Sequence, residues 1–132
     1  MADFASALRT RMTSDGPVSG VVGTKVYWSF VPQGTALPYI RLQTISDPRP
    51  EHLKGYETAR VSRVQVDCFA AKYGDARGLA EKVITAVEDP GVTGGVHFGR
   101  VKAEGPRDLG EDTATGFVHR ASLDLLAEHK LA

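Results

Sequence analysis

Apolar residues in this chain recur with two different periods, and the period decides the element. From Ala2 to about Thr13, Phe4, Leu8 and Met12 return every four residues with Ala5 on the same side, the spacing of a helix face. The stretch "SDGPVSGVVG" carries Gly16, Gly20 and Gly23 with Pro17, which predicts a turn and a short helical piece at Val18–Val22. "TKVYWSFVPQ" is rich in β-branched and aromatic residues and reads as a strand with Val26, Trp28 and Phe30 on one face. "PYIRLQTIS", Pro38 to Ser46, alternates Tyr39, Arg41 and Gln43 against Ile40, Leu42 and Thr44, and Pro38 opens it where no ladder donor is needed. Alternation is cleanest in "ARVSRVQVDCFA", where Val64, Val66 and Cys68 share one face and Arg63, Gln65 and Asp67 the other. The period then switches. Ala76, Leu79, Ala80, Val83, Ile84 and Val87 form a helical stripe that Pro90-Gly91 ends. "GVHFGRVKAEG" predicts a fourth strand, "PRDLGEDTAT" a polar loop, and "GFVHRASLDLLAE" a fifth strand with Phe117, His119, Ala121, Leu123 and Leu125 opposite Val118, Arg120, Ser122, Asp124 and Leu126. The order predicts one α+β domain over residues 1–132: a mostly antiparallel sheet of about five strands with two helices packed on one face.

One segment fits neither period. In "ISDPRPEHLKGYETARV", Ile45 to Val61, a strand breaks at Asp47-Pro48 and the next begins only near Thr58. A two-residue turn would join these strands, so the polar arm at about 47–57 reads either as a contact element or as a solvated hairpin loop with no partner. Pro48 and Pro50 stiffen it, and Arg49, Glu51, His52, Lys54 and Tyr56 are its candidate contact residues.

Composition narrows the function. With 132 residues the chain buries roughly two thirds of its unfolded surface without staples. Sixteen basic residues balance sixteen acidic ones, which removes the overall attraction of a dedicated nucleic-acid binder. The single cysteine, Cys68, forms no intrachain disulfide, "MADFASALRT" has no apolar signal core, and no apolar run reaches membrane-spanning length. Folding in a reducing cytoplasm, away from membranes, is therefore expected.

Motifs of catalysis or cofactor binding are missing from the sequence. The glycines of "GVTGGVHFG" leave a helix to enter a strand, whereas a phosphate loop must lead into a helix N-terminus, so a turn is the better reading. "GPVSG" lacks the glycines two residues either side of Ser19 that a nucleophile elbow requires. His52, His97, His119 and His129 are dispersed without i,i+4 pairing, and one cysteine cannot build a cysteine-rich zinc site. Asp67 and Asp124 sit on strands and read as solvent-facing or ion-paired carboxylates; Cys68, alternating with valines, reads as a small buried hydrophobe. Tyr27, Trp28, Tyr39 and Arg41 are of the types that stack on bases, but no RNA-binding signature accompanies them, and sheet packing explains them. No catalytic, cofactor or metal residue is assigned.

The whole pattern resembles a known family. A helix running into "VSGVVGTKVYW", then "LPYIRLQ", "RVQVDCFAAKYGDARGLAEKVITAVE" and "TGFVHRASLDLLAEH", is similar to the small tail-completion or tail-terminator proteins of long-tailed phages and gene transfer particles. Val22-Gly23 with Val26-Tyr27, Pro38-Tyr39-Ile40, and Val64 to Asp67 running through Tyr73 and Ala76 to Leu79–Val87 carry the resemblance best. Arg120 and Asp124 suit its closing strand, while Leu125 stands where an aromatic residue is expected. The resemblance implies a structural protein, not an enzyme: a homo-oligomeric ring, usually of six copies, in a virion or phage-like particle at the head–tail junction. Its expected partners are the tail-tube protein and the head connector or stopper protein, with DNA passing through without sequence-specific binding. A head-completion stopper or connector adaptor is the nearest alternative, and a small enzyme or nucleic-acid module with an unfamiliar site a more remote one.

Overall fold

The computed structural model describes residues 3–47, 60–114 and 116–131. Three helices and six strands follow in the order α1 (Phe4–Thr13), α2 (Gly16–Val22), β1 (Val26–Trp28), β2 (Tyr39–Ser46), β3 (Arg60–Ala70), α3 (Tyr73–Val87), β4 (Gly91–Thr93), β5 (Val96–Thr113) and β6 (Gly116–Leu131). The strands form a single sheet in the order β1-β2-β3-β6-β5-β4. β1 runs parallel to β2, and every other adjacent pair is antiparallel.

Both first helices start on an aspartate that satisfies a free N–H. Asp3 accepts from the Ser6 backbone at 2.7 Å, and Asp15 from the Val18 backbone at 3.1 Å, which caps α1 and α2. α2 is the predicted helical piece extended back to Gly16, so the described residues hold three helices and not two. Leu8 and Met12 of α1, Val18 and Val22 of α2, and Leu79, Val83 and Val87 of α3 are buried against Ile40, Leu42, Val64, Val66, Cys68, Leu123 and Leu125 of the sheet. Each fully buried aliphatic side chain of this kind stabilises the fold by about 1.5–3 kcal/mol. All three helices contribute to this one core, and the residues between the core positions of β2, β3 and β6 point to the sheet's other face.

Three expectations about the strands need correction. β1 stops at Trp28 because Ser29 takes φ 62°, a left-handed turn, and leaves Phe30 73% exposed instead of beside Val26. Trp28 is only half-buried, its indole N–H donating to the Ala5 carbonyl at 2.9 Å. The polar stretch 106–115 is strand as far as Thr113, where the sequence predicts a loop. It pairs with β6 from Arg107↔Ser122 to Thr113↔Gly116. Residues 107–113 are all exposed, so neither face carries the apolar alternation that announces a strand. Pro106 is tolerated because it lies in the register shift between Glu104 and Arg107, on a stretch of β5 that has no second neighbour. The sixth strand is β4, joined to β5 through Gly94 and Gly95, whose φ values of 56° and 77° give a tight hairpin turn.

Candidate assembly surfaces

The face of the sheet opposite the helices is built from the polar halves of the alternating strands. The register aligns them in rows across four strands: Tyr39, Phe69, Arg120 and Leu109; then Arg41, Asp67, Ser122 and Arg107; then Gln43, Gln65, Asp124 and Glu104. Asp67 is completely buried. Arg41 donates to it at 3.0 Å, Gln65 donates to both of its oxygens at 3.1 Å, and Arg120 stands 3.8 Å away, close enough for attraction but not for a hydrogen bond. A carboxylate out of water needs such partners, since an unpaired buried charge is strongly unfavourable. Phe69 completes the group, stacked on Tyr39 at 4.8 Å with Arg41 and Arg120 lying 5.5 Å and 6.0 Å from its ring centre.

One row along, Arg63 donates to Glu104 at 2.6 Å and to Asp124 at 2.9 Å, and Arg107 approaches Asp124 at 3.5 Å from the other side. Hydrogen bonds to Glu104 first and Asp124 second raise the Arg63 pKa above its usual value, so this guanidinium is a fixed charge. The result is a face on which charges of both signs are held in position by their strand neighbours.

A second cluster closes the base of the β2–β3 connection. Ser62 donates to Asp47 at 2.6 Å, Arg60 pairs with the same oxygen at 3.0 Å, and the His129 Nε2 lies 2.8 Å from the Ser62 hydroxyl. The one hydroxyl proton is committed to Asp47, so Nε2 must be the donor to Ser62. Serine thus sits between acid and histidine, and no imidazole lone pair is aimed at it; this is a clamp and not a nucleophile with its base. The His129 ring also stacks on Phe4 of α1 at 3.9 Å. Burial, and then the charge of Arg60, lowers its pKa below the ordinary 6.5 against an opposing pull from Asp47.

A third surface lies where α3 begins. Tyr73, Arg77, Asp108, Leu109, Phe117 and His119 surround a cleft of about 320 Å³, with the Tyr73 hydroxyl and Arg77 both donating to Asp108 at 3.1 Å and 3.2 Å. Tyr73, Leu109 and Phe117 remain exposed around it.

The five candidate contact residues of the arm, Arg49, Glu51, His52, Lys54 and Tyr56, lie outside the described residues, as does most of the 47–57 segment. Of the arm the structure describes only Asp47, which is ion-paired to Arg60 at the start of β3. Asp67 and Asp124 share the open face and are ion-paired, as the sequence suggests, and Cys68 is buried beside them on the core side. His119 packs edge-on against Phe117 and Tyr73. Among the described residues no group of three histidine, cysteine or acidic side chains is placed to hold a metal ion, and no helix is long and apolar enough to cross a membrane. Sequence reading missed the Arg41–Asp67–Arg120 group. Period-two alternation placed each member on a polar face, but their meeting depends on cross-strand register, which a single strand does not encode.

The comparisons with known proteins agree with this architecture. The family described as Tail completion protein gp17 matches residues 6–129. Among solved structures, a chain of the "Virion of native gene transfer agent (GTA) particle" is similar with a TM-score of 0.64 over 96% of this chain and 92% of that one, at 18% identity. That likeness is one of fold. A search of curated proteins gives no significant match. The chain belongs to the tail completion protein family, and its place is in the tail of a phage or phage-like virion.

Proposed function

We propose that this protein is the terminator of a phage-type tail: copies form a ring, most simply of six, on the last ring of the tail tube, end polymerisation, and present the surface on which the head connector docks. The family match over residues 6–129 carries the reading. The ionically ordered sheet face, which no described helix covers, supports it, because a protein that works by assembly requires rigid outward surfaces more than a cavity. The role is structural and non-enzymatic, with DNA passing through the ring without sequence-specific contact. Within it, the arm at 47–57 reaches a neighbouring copy or the adjacent ring, with Arg and Tyr side chains (Arg49, Tyr56) as anchors and Glu51, His52 and Lys54 setting register.

Copy number tests the ring. An electron-microscopy map of intact particles is expected to hold several symmetry-related copies at the head-proximal tail end. A map with one isolated copy there would sink the proposal.

A further inference from the structure

The two margins of the sheet differ in charge and shape. At one margin, the chain from Thr24 to Ser46 carries Lys25 and Arg41 and no carboxylate. Arg41 is engaged with Asp67, whereas Lys25 meets only the Ala36 carbonyl, at 2.9 Å, and has no ion pair among the described residues. Immediately past β1, the left-handed Ser29 turns Phe30 outward as the most exposed large hydrophobe of the described chain. The outward carbonyls of β1 are already occupied, Val26 by Arg9 at 2.7 Å and Trp28 by the Phe30 N–H at 2.6 Å. This margin therefore meets a partner through side chains and not by adding a strand.

At the opposite margin, β4 covers the outer side of β5 only from Val96 to Phe98, and among the described residues no second strand lies beside Val101–Thr113, which pairs with β6 alone. The stretch Glu104 to Asp112 carries Glu104, Asp108, Glu111 and Asp112 against Arg107. Glu104 and Asp108 are paired with Arg63 and Arg77, while Glu111 and Asp112 have no ion pair among the described residues. Beside them opens the cleft of about 320 Å³ rimmed by Tyr73, Leu109 and Phe117. One margin thus offers an unneutralised cation before β1 and an aromatic knob just past its end, and the other unneutralised carboxylates next to an aromatic-lined cleft.

We propose that neighbouring copies join head to tail through these margins, with Phe30 of one copy seated in the Tyr73–Leu109–Phe117 cleft of the next and Lys25 facing its Glu111–Asp112 edge. A contact between two different patches on opposite sides of a subunit is the kind that closes into a ring, and the partner is a second copy of this chain. Opposite charge at the two patches selects the head-to-tail pairing over like-patch pairing. The inference rests on the ring reading and adds the residues that would make it.

The test is a charge swap read by native mass spectrometry and by occupancy of isolated tails. Lys25→Glu alone, and Glu111→Lys with Asp112→Lys, should each lower assembly roughly tenfold or more while melting stays unchanged. Mixed in equal amounts, the two variants should assemble again, since each contact then joins opposite charges. Phe30→Ser should fail in every mixture that lacks another source of the knob. If wild type assembles and the single variants assemble equally well, the margin contact is wrong and the ring stands. If wild type itself never exceeds one copy per tail, both are wrong.

Discussion

Asp67, without solvent exposure, is held 3.0 Å from Arg41 on a sheet face that none of the described helices covers. Arg41 and Arg120, with 27% and 29% of their side chains exposed, are the roof over the carboxylate, which is how a charge is buried on an open face. Asp67→Asn keeps the shape but leaves two guanidiniums facing each other across a neutral group. A destabilisation of about 1–3 kcal/mol is expected, below the range for a fully buried pair because both arginines reach water. Urea denaturation measures it. Arg41→Gln in the Asp67→Asn background should recover part of the loss, and additive losses would argue against the coupling.

Cys68 is fully buried among valines, and burial first, then the charge of Asp67, pushes its thiol pKa well up. Native protein should resist thiol reagents and react only after unfolding, since access and thiolate fraction both control the reaction. Cys68→Ser should cost roughly 1–3 kcal/mol by burying a hydroxyl without a partner. Rapid labelling of folded protein would contradict the register of β3.

The clamp at His129 makes stability pH-dependent on the acid side. A histidine whose pKa is lowered in the fold stays neutral there while the unfolded chain takes up its proton. Stability is therefore undiminished above the ordinary value of 6.5 and falls as the pH drops below it, until the lowered folded value is passed. Melting curves from pH 7 to about pH 5 should show this loss, and His129→Gln should show less of it, having no proton to gain. An identical acid slope in wild type and variant would remove His129 from the explanation.

Shortening the arm separates folding from assembly. Replacing Pro48–Tyr56 by an Asn-Gly turn closes the β2–β3 connection with less entropy loss and leaves the core untouched, so the melting transition should not fall. Assembly should fail if Arg49, Glu51, His52, Lys54 and Tyr56 make contacts outside the subunit. Complementation of a gene-deleted particle by the shortened protein reads the outcome, and full activity would leave the arm no assembly role.

What the sequence disclosed, and what it hid, follows from where periodicity is written. β3 and α3 were legible because both bury one face: Val64, Val66 and Cys68 repeat by two, and Leu79, Ala80 and Val83 by three and four. Arg107–Thr113 was not, because a strand exposed on both faces carries no alternation and its extended form comes from pairing with β6. β1 was overestimated because aromatic, β-branched residues continue past Trp28, while the turn at Ser29 depends on a backbone angle that serine rarely adopts. The Asp67 cluster was hidden for a different reason. Its members come from β2, β3 and β6, and only the sheet order brings Arg41 and Arg120 to either side of one carboxylate.

Tail length in particles lacking this chain tests the terminator role most directly. Electron microscopy of the gene-deleted particles should show tails longer than those of the wild type and without heads, because nothing stops tube polymerisation. Tails of normal length left unattached to heads would contradict it and place the protein on the head side of the junction.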